Sequence, residues 1–204
     1  YFVLFSMLGL ANYGNRAIAQ CRDEQEKMNS VFSNIVTLHV LFSGICCLIY
    51  VLYIIFVASE KLYAWIQFFY VLSGLFDISW FYFGIEKFKL TVTRNVTIKI
   101  INVICVFAFV RDANDLWKYC LIMALGMLIS QVALWLPLKK YVRICKPTWE
   151  NMVPHISPLF ILFIPAIAVS LYKYMDKIMI GALSSKAELG LYENAEKVVN
   201  IPLT

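Results

Sequence analysis

The chain has 204 residues, of which 61% are hydrophobic and 15% are charged. Soluble domains are usually about 45–50% apolar and about 25% charged, so the composition excludes an ordinary soluble domain and predicts an integral membrane protein. The net charge of +5 is modest, and we expect it to mark the sides of a membrane and not a nucleic-acid surface.

Seven apolar segments, complete or partial, alternate with short polar loops along the chain. A transmembrane helix needs about 20 mostly apolar residues, so the complete segments predict an all-α, polytopic transmembrane helix bundle. The first segment begins without Met and is shorter than a span, so we expect a piece of a longer protein. The fourth is short unless it includes flanking residues. The segments are residues 1–11, 31–57, 62–83, 96–110, 119–138, 159–183 and one that begins near 189.

Lys and Arg residues are distributed unequally between alternate loops. One set of loops holds eleven of the 18 and the opposite set holds four, so the positive-inside rule places the first set in the cytoplasm. Arg94 and Lys99, at the start of the fourth segment, are expected to extend toward the lipid head groups. The eleven are Arg16, Arg22, Lys27, Lys87, Lys89, Arg94, Lys99, Lys139, Lys140, Arg143 and Lys146.

Three charged residues, Lys173, Asp176 and Lys177, interrupt the sixth apolar segment. On a helix they share one face, and charges inside a membrane usually face a bundle interior or a watery cavity. A span that ended before Lys173 would be shorter than the usual length of about 20 residues. A start near Met152 would supply the missing length and place the cluster at the interface, so both positions remain open. Pro165 predicts a kink in this segment.

Other polar residues stand where an apolar span usually has none. Asp77 lies in the third segment, near Trp80, and predicts either a functional carboxylate or a hydrogen bond to a neighbouring helix. Arg16 follows the first segment and is either an interfacial anchor or a functional cation. Glu193 stands four residues before Lys197, a spacing that also occurs as simple helix support.

Residues for catalysis or cofactor binding are scarce in the sequence. The two histidines, His39 and His155, lie in or beside apolar segments, and neither belongs to an H-E-x-x-H motif. P-loop and G-x-S-x-G motifs are absent, and the six cysteines show no C-x-x-C spacing. We therefore expect no enzyme activity, no metal site and no disulfide framework.

Four motifs occur in order along the chain. They are Gly9-Leu-Ala-Asn-Tyr-Gly-Asn-Arg16, Phe76-Asp-Ile-Ser-Trp-Phe-Tyr-Phe-Gly-Ile-Glu-Lys-Phe-Lys89, Tyr174-Met-Asp-Lys-Ile-Met-Ile-Gly181 and Gly190-Leu-Tyr-Glu-Asn-Ala-Glu-Lys197. Together they resemble the bacterial Wzx-type polysaccharide flippases, in the polysaccharide transporter branch of the multidrug/oligosaccharidyl-lipid/polysaccharide exporter (MOP) superfamily. The resemblance implies a MOP/MATE-like architecture, in which residues 1–150 would form most of the N-terminal lobe and residues 151–204 the start of the C-terminal lobe.

The resemblance also implies a function. Such proteins move undecaprenyl-diphosphate-linked oligosaccharide repeat units from the cytoplasmic to the outer leaflet of the bacterial cytoplasmic membrane, for O-antigen or capsule assembly. They work by alternating access, with H⁺ or Na⁺ as the expected coupling ion and no other cofactor. The expected partners are the lipid-linked oligosaccharide, the lipid bilayer and glycan polymerase machinery, and not nucleic acid.

Eight residues are candidates for the substrate path on this resemblance. Arg16, Lys173 and Lys177 would offset the negative charge of the diphosphate, whose bare transfer through a low-dielectric layer is prohibitive. The eight are Arg16, Asp77, Trp80, Lys173, Tyr174, Asp176, Lys177 and Glu193.

The acidic and aromatic candidates have other expected roles. Asp77, Asp176 and Glu193 would titrate, bind the coupling cation or hold the lysines in place. The faces of Trp80 and Tyr174 would stack on sugar rings.

Three other functions fit the sequence less well than a flippase. A multidrug exporter of the same superfamily would favour acidic cavities for cationic drugs, whereas the spans here contain lysines. A membrane-embedded glycan polymerase or ligase would need a long extracytoplasmic loop, which these residues do not contain. A helical receptor or structural membrane protein would leave the aligned charges of the sixth segment unexplained.

Overall fold

The computed structural model describes residues 2–200, except for the side chains of Ala113, Lys173, Lys186, Lys197 and Asn200. The described residues form ten α-helices and one short 3₁₀-helix, with no β-strand among them, so the predicted all-α class is confirmed. The α-helices are α1 (Phe2–Met7), α2 (Leu10–Cys21), α3 (Gln25–Phe56), α4 (Lys61–Leu75), α5 (Ser79–Gly84), α6 (Phe88–Phe109), α7 (Leu116–Ala133), α8 (Trp135–Leu138), α9 (Trp149–Leu183) and α10 (Lys186–Asn200).

Five helical stretches within the described residues are long and apolar enough to cross a membrane, which confirms the polytopic class. The fourth predicted segment, 96–110, is the end of α6, which begins at Phe88 and so reaches 22 residues. Large apolar side chains such as Phe107 and Leu136 are exposed, as expected of residues that face lipid. The five stretches are Gln25–Phe56, Lys61–Gly84, Phe88–Phe109, Leu116–Leu138 and Trp149–Tyr172.

The chain divides into two compact units, Tyr1–Phe163 and Ile164–Thr204, each described here by itself. In the first unit α3 packs against α1, α2 and α4, and α7 packs against α4 and α6. Its main core includes Phe32, together with Met152 and Leu159 from the first part of α9. Full burial of one such side chain stabilises the fold by about 1.5–3 kcal/mol. The assignment of two lobes divided at residue 150 stays a prediction.

The first predicted span is broken at Leu8 and Gly9. Both residues have positive φ angles, 39° and 70°, so the chain turns sharply between α1 and α2. A β-carbon on Gly9 would lie 2.8 Å from the backbone nitrogen of Phe163 and 2.9 Å from the carbonyl oxygen of Leu159. Because glycine has no β-carbon and tolerates this backbone conformation, it permits the close approach of α9 to the break.

The third predicted span is also divided, into α4 and α5, by residues 76–78. Carbonyl groups at this break have side-chain partners. Trp135 Nε1–H donates to the Phe76 oxygen at 2.9 Å, and His39 Nε2–H donates to the Gly74 oxygen at 2.8 Å. Irregular backbone at membrane depth is tolerated where the protein buries and satisfies it, as it does here.

The basic loops that follow α2, α5 and α8 lie at one end of the first unit. The guanidinium of Arg22 is paired with the carboxylate of Glu86, and this hydrogen bond raises the pKa of Arg22 above its ordinary value. The backbone N–H of Arg143 donates to Asn29 Oδ1 at 2.9 Å, which joins the loop after α8 to the start of α3. These contacts between the basic loops agree with the expectation that the loops share one side of the membrane.

Candidate functional site

A groove of about 350 Å³ opens in the first unit between α2 and the first part of α9. The contact at Gly9 brings α9 against the start of α2, one to two helical turns before Tyr13 and Arg16. The α2 wall of the groove is largely polar and the α9 wall is apolar. The lining residues are Tyr13, Arg16, Ala17, Gln20, Pro158, Ile161 and Leu162.

A hydrogen bond connects the two helices beside this groove. The Tyr13 hydroxyl and the Nδ1 atom of His155 are 2.6 Å apart, and the centroids of the two rings are 5.8 Å apart. Both side chains are half-buried. The bond fixes the orientation of the Tyr13 ring in the groove wall, one turn from Arg16, a role that sequence analysis did not assign to His155.

Arg16 is exposed on the α2 wall, opposite Ile161 and Leu162. Among the described residues, no carboxylate lies within ion-pair distance of its guanidinium. A guanidinium presents a planar set of N–H donors that matches the geometry of a phosphate group. The groove therefore offers a cation and an apolar surface to the same ligand, which suits the anionic head group of an amphiphile.

A second hollow, of about 560 Å³, lies within the second unit, between the last part of α9 and α10. The Tyr192 hydroxyl donates to Asp176 Oδ2 at 3.1 Å, and Lys177 Nζ is paired with Glu196 Oε2 at 2.6 Å. Lys177 Nζ also lies 5.5 Å from the centroid of the Tyr174 ring, within the range of a cation–π contact. The hollow is lined by Leu171, Tyr172, Met175, Asp176, Tyr192 and Glu196.

The pairing with Glu196 changes the expected role of Lys177. The carboxylate competes with an anion for the charge of the lysine. Glu193, which is half-buried, adds a second negative charge that interacts electrostatically with Lys177. This arrangement corresponds to the alternative in which acidic residues hold a lysine in place, although the acid in contact is Glu196.

The depth of the charged cluster is not determined by the length of α9. The helix begins at Trp149, so the 24 residues Trp149–Tyr172 are enough to cross a membrane before Lys173. The side chain of Lys173 lies outside the described residues. Its position inside the membrane stays a prediction. Pro165 lies within the unbroken run of helical residues of α9.

The structure places Trp80 in the core of the first unit. Its side chain is 1% exposed and stacks on Phe32, with the ring centroids 5.6 Å apart. The ring also leaves no room for a β-carbon at Gly14. Since core packing occupies the faces of this ring, it has no accessible face for a sugar in this structure.

Asp77 lies at the break between α4 and α5 and is half-buried. It accepts a hydrogen bond from the backbone N–H of Ser79 at 2.9 Å and another from the Ser79 hydroxyl. Both bonds are local and satisfy donors at the start of α5. The hydrogen bond to a neighbouring helix that the sequence suggested for Asp77 is not among those the structure shows for the described residues.

Comparisons with known proteins identify the family of this chain. A family model described as "Polysaccharide biosynthesis protein" matches residues 1–204. The chain belongs to this family. The "Putative O-antigen transporter" of Shigella dysenteriae is 24% identical over an alignment of 198 residues, which covers 93% of this chain and 50% of that protein, so the chain spans about half the length of this relative. No solved structure matches the chain. The resemblance to Wzx-type polysaccharide flippases is confirmed.

Some residues of this polysaccharide biosynthesis protein lie in hydrogen-bond and ion-pair networks that were not predicted from the sequence. Glu196 contacts Lys177 and Tyr192 contacts Asp176, across the short turn between α9 and α10. Because a short turn brings the two helices side by side, it was the sequence signal for these contacts. Arg94 is not free to extend to the head groups. It donates to Gln131 Oε1 at 2.7 Å and to the Ser130 oxygen at 3.2 Å, and the polar Gln131 in an apolar span was the signal for this contact.

Proposed function

We propose that the full-length protein is a flippase that moves undecaprenyl-diphosphate-linked oligosaccharide repeat units from the cytoplasmic to the outer leaflet of a bacterial cytoplasmic membrane. The observation that carries the proposal is the exposed Arg16 in a groove with an apolar opposite wall, in a chain that matches a polysaccharide biosynthesis family over its whole length. The name of the Shigella relative supports the same class of substrate.

The chemistry of the substrate matches the two walls of the groove. A diphosphate carries negative charge, and its transfer into a low-dielectric layer is costly unless a cation and hydrogen-bond donors accompany it. Arg16 supplies both. Ile161 and Leu162 face it with apolar surface, which suits the first isoprene units of a polyprenyl lipid. One groove can therefore hold the junction between the charged head and the lipid tail.

Alternating access then moves the head group between the two sides of the membrane. The hydrogen bond between Tyr13 and His155 joins α2 to α9 beside the bound diphosphate, so a change in the packing of these helices would alter the groove. Tyr174 is the remaining aromatic candidate for stacking on sugar rings. The flipped repeat unit would be delivered to glycan polymerase machinery for O-antigen or capsule assembly.

Coupling to an H⁺ or Na⁺ gradient is proposed to act through the acidic residues of the second unit. Asp176 and Glu193 are the candidate groups, and the pair between Lys177 and Glu196 is next to them. Protonation or cation binding at these acids would weaken their hold on Lys177. The lysine, together with Lys173, would then become available to the diphosphate during transport.

Transport and not bond cleavage is the proposed activity. An exposed arginine disfavours the cationic drugs that an exporter of the same superfamily would carry. The long extracytoplasmic loop expected of a glycan polymerase is not found within these residues. The protein is therefore proposed to change the location of its substrate without changing its covalent structure.

Substitution of Arg16 in the full-length gene tests this proposal. In cells that lack the native gene, R16Q is expected to reduce the export of lipid-linked repeat units by roughly tenfold to a hundredfold, because a hydrogen bond to a charged group contributes about 1.5–3 kcal/mol. The measurement is the ratio of repeat units on the cytoplasmic and outer faces of the membrane. R16K keeps the positive charge but lacks the planar guanidinium with its several N–H donors. It is expected to give a ratio between those of wild type and R16Q.

R111Q serves as the matched control, since Arg111 is exposed in the loop before α7 and lies outside the groove. Equal amounts of inserted protein must be verified for every variant. Normal export by R16Q, or an equal defect in R111Q, would refute the role of Arg16.

A further inference from the structure

A second groove, distinct from the Arg16 groove, lies at the end of the first unit where the basic loops meet. It has a volume of about 540 Å³. One side is formed by the first turns of α3, with Gln25, Glu26 and Asn29, and the other by residues 139–143. The proposed transport mechanism assigns no role to this groove.

Hydrogen bonds from side chains of α3 to the loop backbone, or from that backbone to them, hold the basic side of this groove in place. Gln25 Nε2 donates to the Tyr141 oxygen at 2.9 Å, and the Arg143 backbone N–H donates to Asn29 Oδ1 at 2.9 Å. The Tyr141 ring also packs against Tyr82, with centroids 6.0 Å apart. Because two hydrogen bonds and one ring contact hold the loop, the basic side chains that it carries start from defined positions.

The groove has an excess of positive charge. Lys139, Lys140 and Arg143 line it, and among the described residues none of them is within ion-pair distance of a carboxylate. Glu26 is the acidic residue in the lining, and it offsets one of the three charges. Two positive charges therefore remain for a ligand with one or two negative charges.

The position of the groove along the membrane normal follows from the spans. One candidate span ends at Leu138, directly before the two lysines, and another begins at Gln25. We therefore expect the groove to lie at the level of the lipid head groups. Leu136 and Ile144, which flank the basic segment in sequence, are 81% and 65% exposed. Exposed apolar side chains beside basic ones suit a ligand that has both a phosphate and acyl chains.

We propose that this groove binds the phosphate head group of an anionic phospholipid from the cytoplasmic leaflet. Lys139, Lys140 and Arg143 contact the phosphate, and Leu136 and Ile144 contact the acyl chains. A bound lipid of this kind fixes the loops after α2 and α8 to the membrane surface. The site does not depend on the identity of the transported substrate, so it stands or falls separately from the proposed flippase function.

The test uses the purified full-length protein in nanodiscs or detergent and measures lipid binding by native mass spectrometry. The probes are phosphatidylglycerol, phosphatidylcholine, soluble glycerol phosphate and a polyprenyl diphosphate. Wild-type protein is expected to bind phosphatidylglycerol at least about tenfold more tightly than phosphatidylcholine, and this preference is expected to weaken at high salt.

Two triple variants separate a defined site from general charge. K139Q/K140Q/R143Q is expected to lose at least about tenfold in affinity for phosphatidylglycerol. The loop keeps its place in this variant, because Tyr141 and Arg143 are held through backbone atoms. K27Q/K87Q/K89Q removes the same charge from exposed residues on the same predicted side and is expected to lose less than about threefold.

The other outcomes overturn the proposal in distinguishable ways. Equal losses in the two triple variants would show a diffuse charge effect and no site. Glycerol phosphate binding as tightly as phosphatidylglycerol would show a site for soluble phosphate. Polyprenyl diphosphate binding there in preference to phospholipid would assign the groove to the transported substrate, whereas failure of R16Q to reduce export would leave this lipid site unaffected.

Discussion

The two compact units present their cations in different states. In the first unit Arg16 is exposed in a groove, and no carboxylate among the described residues is within ion-pair distance of it. In the second unit Lys177 is paired with Glu196 at 2.6 Å. An unpaired cation binds an anion without first breaking a bond, whereas a paired lysine must exchange its carboxylate for the anion. Arg16 and Lys177 are both candidate cations in the sequence, but in the structure Arg16 is the one that can bind an anion directly.

The difference depends on how each unit is packed. The Arg16 groove is held between helices that meet at Gly9 and are joined by the bond between Tyr13 and His155. In the second unit, Asp176 and Glu196 line an open hollow, and Glu196 forms an ion pair with Lys177. We therefore expect changes in the packing of the first unit to have large effects, and changes in the ion pair of the second unit to have small ones.

The largest effect is expected from Gly9→Ala. The added β-carbon would contact the backbone of α9, and alanine would be strained at a φ angle of 70°. Together the left-handed strain and the overpacking are expected to cost roughly 2–5 kcal/mol. The measurement is the thermal unfolding of the purified full-length protein.

Gly44→Ala is the matched control, because a β-carbon on Gly44 in α3 meets no atom within 4 Å. It is expected to leave stability unchanged or to raise it by up to about 1 kcal/mol. Equal stability of the two variants would show that the contact at Gly9 does not hold the groove together.

A smaller effect is expected from Tyr13→Phe. Removing the hydroxyl breaks the bond to His155 while the ring remains in the groove wall. The expected loss of stability is about 0.5–1.5 kcal/mol, together with a measurable decrease in export because the groove becomes less ordered. Tyr119→Phe, on an exposed residue of α7, is the control and should alter neither quantity. An unchanged rate of export in Tyr13→Phe would remove this bond from the site.

The smallest effect on stability is expected from the pair between Lys177 and Glu196. The side chains are 24% and 33% exposed, and a double-mutant cycle of K177Q and E196Q is expected to give a coupling of about 0.2–1 kcal/mol. Export should respond asymmetrically, since K177Q leaves an unpaired carboxylate and E196Q leaves an unpaired cation. Export is therefore expected to decrease slightly in K177Q and to stay normal or increase in E196Q. The opposite order would show that the acid, and not the lysine, serves the substrate.

The helical spans were largely predictable from the sequence because a run of about 20 apolar residues is typical of a transmembrane helix. Even the short segment 96–110 was resolved by including the residues before it, from Phe88 onward. The two helix breaks were not predictable in the same way. Those at Gly9 and at residues 76–78 depend on partners from distant parts of the chain, α9 in one case and Trp135 in the other.

The candidate site was predictable in part. Arg16 was identified by its charge at the end of an apolar segment, but its apolar partner wall comes from α9 and needed the fold. Trp80 was placed in the substrate path because an aromatic residue near a carboxylate has the same sequence signature whether it faces a cavity or a core. In the structure its ring stacks on Phe32 and packs against Gly14, which has no side chain, so the ring lies in the core.

The most direct measurement is the binding of a polyprenyl-diphosphate-linked oligosaccharide to the purified full-length protein, titrated for wild type, R16Q and K177Q. If the unpaired cation of the first unit holds the diphosphate, R16Q binds at least about tenfold more weakly than wild type. K177Q, whose lysine is already neutralised by Glu196, then loses less than about threefold. Wild-type affinity in R16Q, or a loss in K177Q as large as that in R16Q, would contradict this assignment.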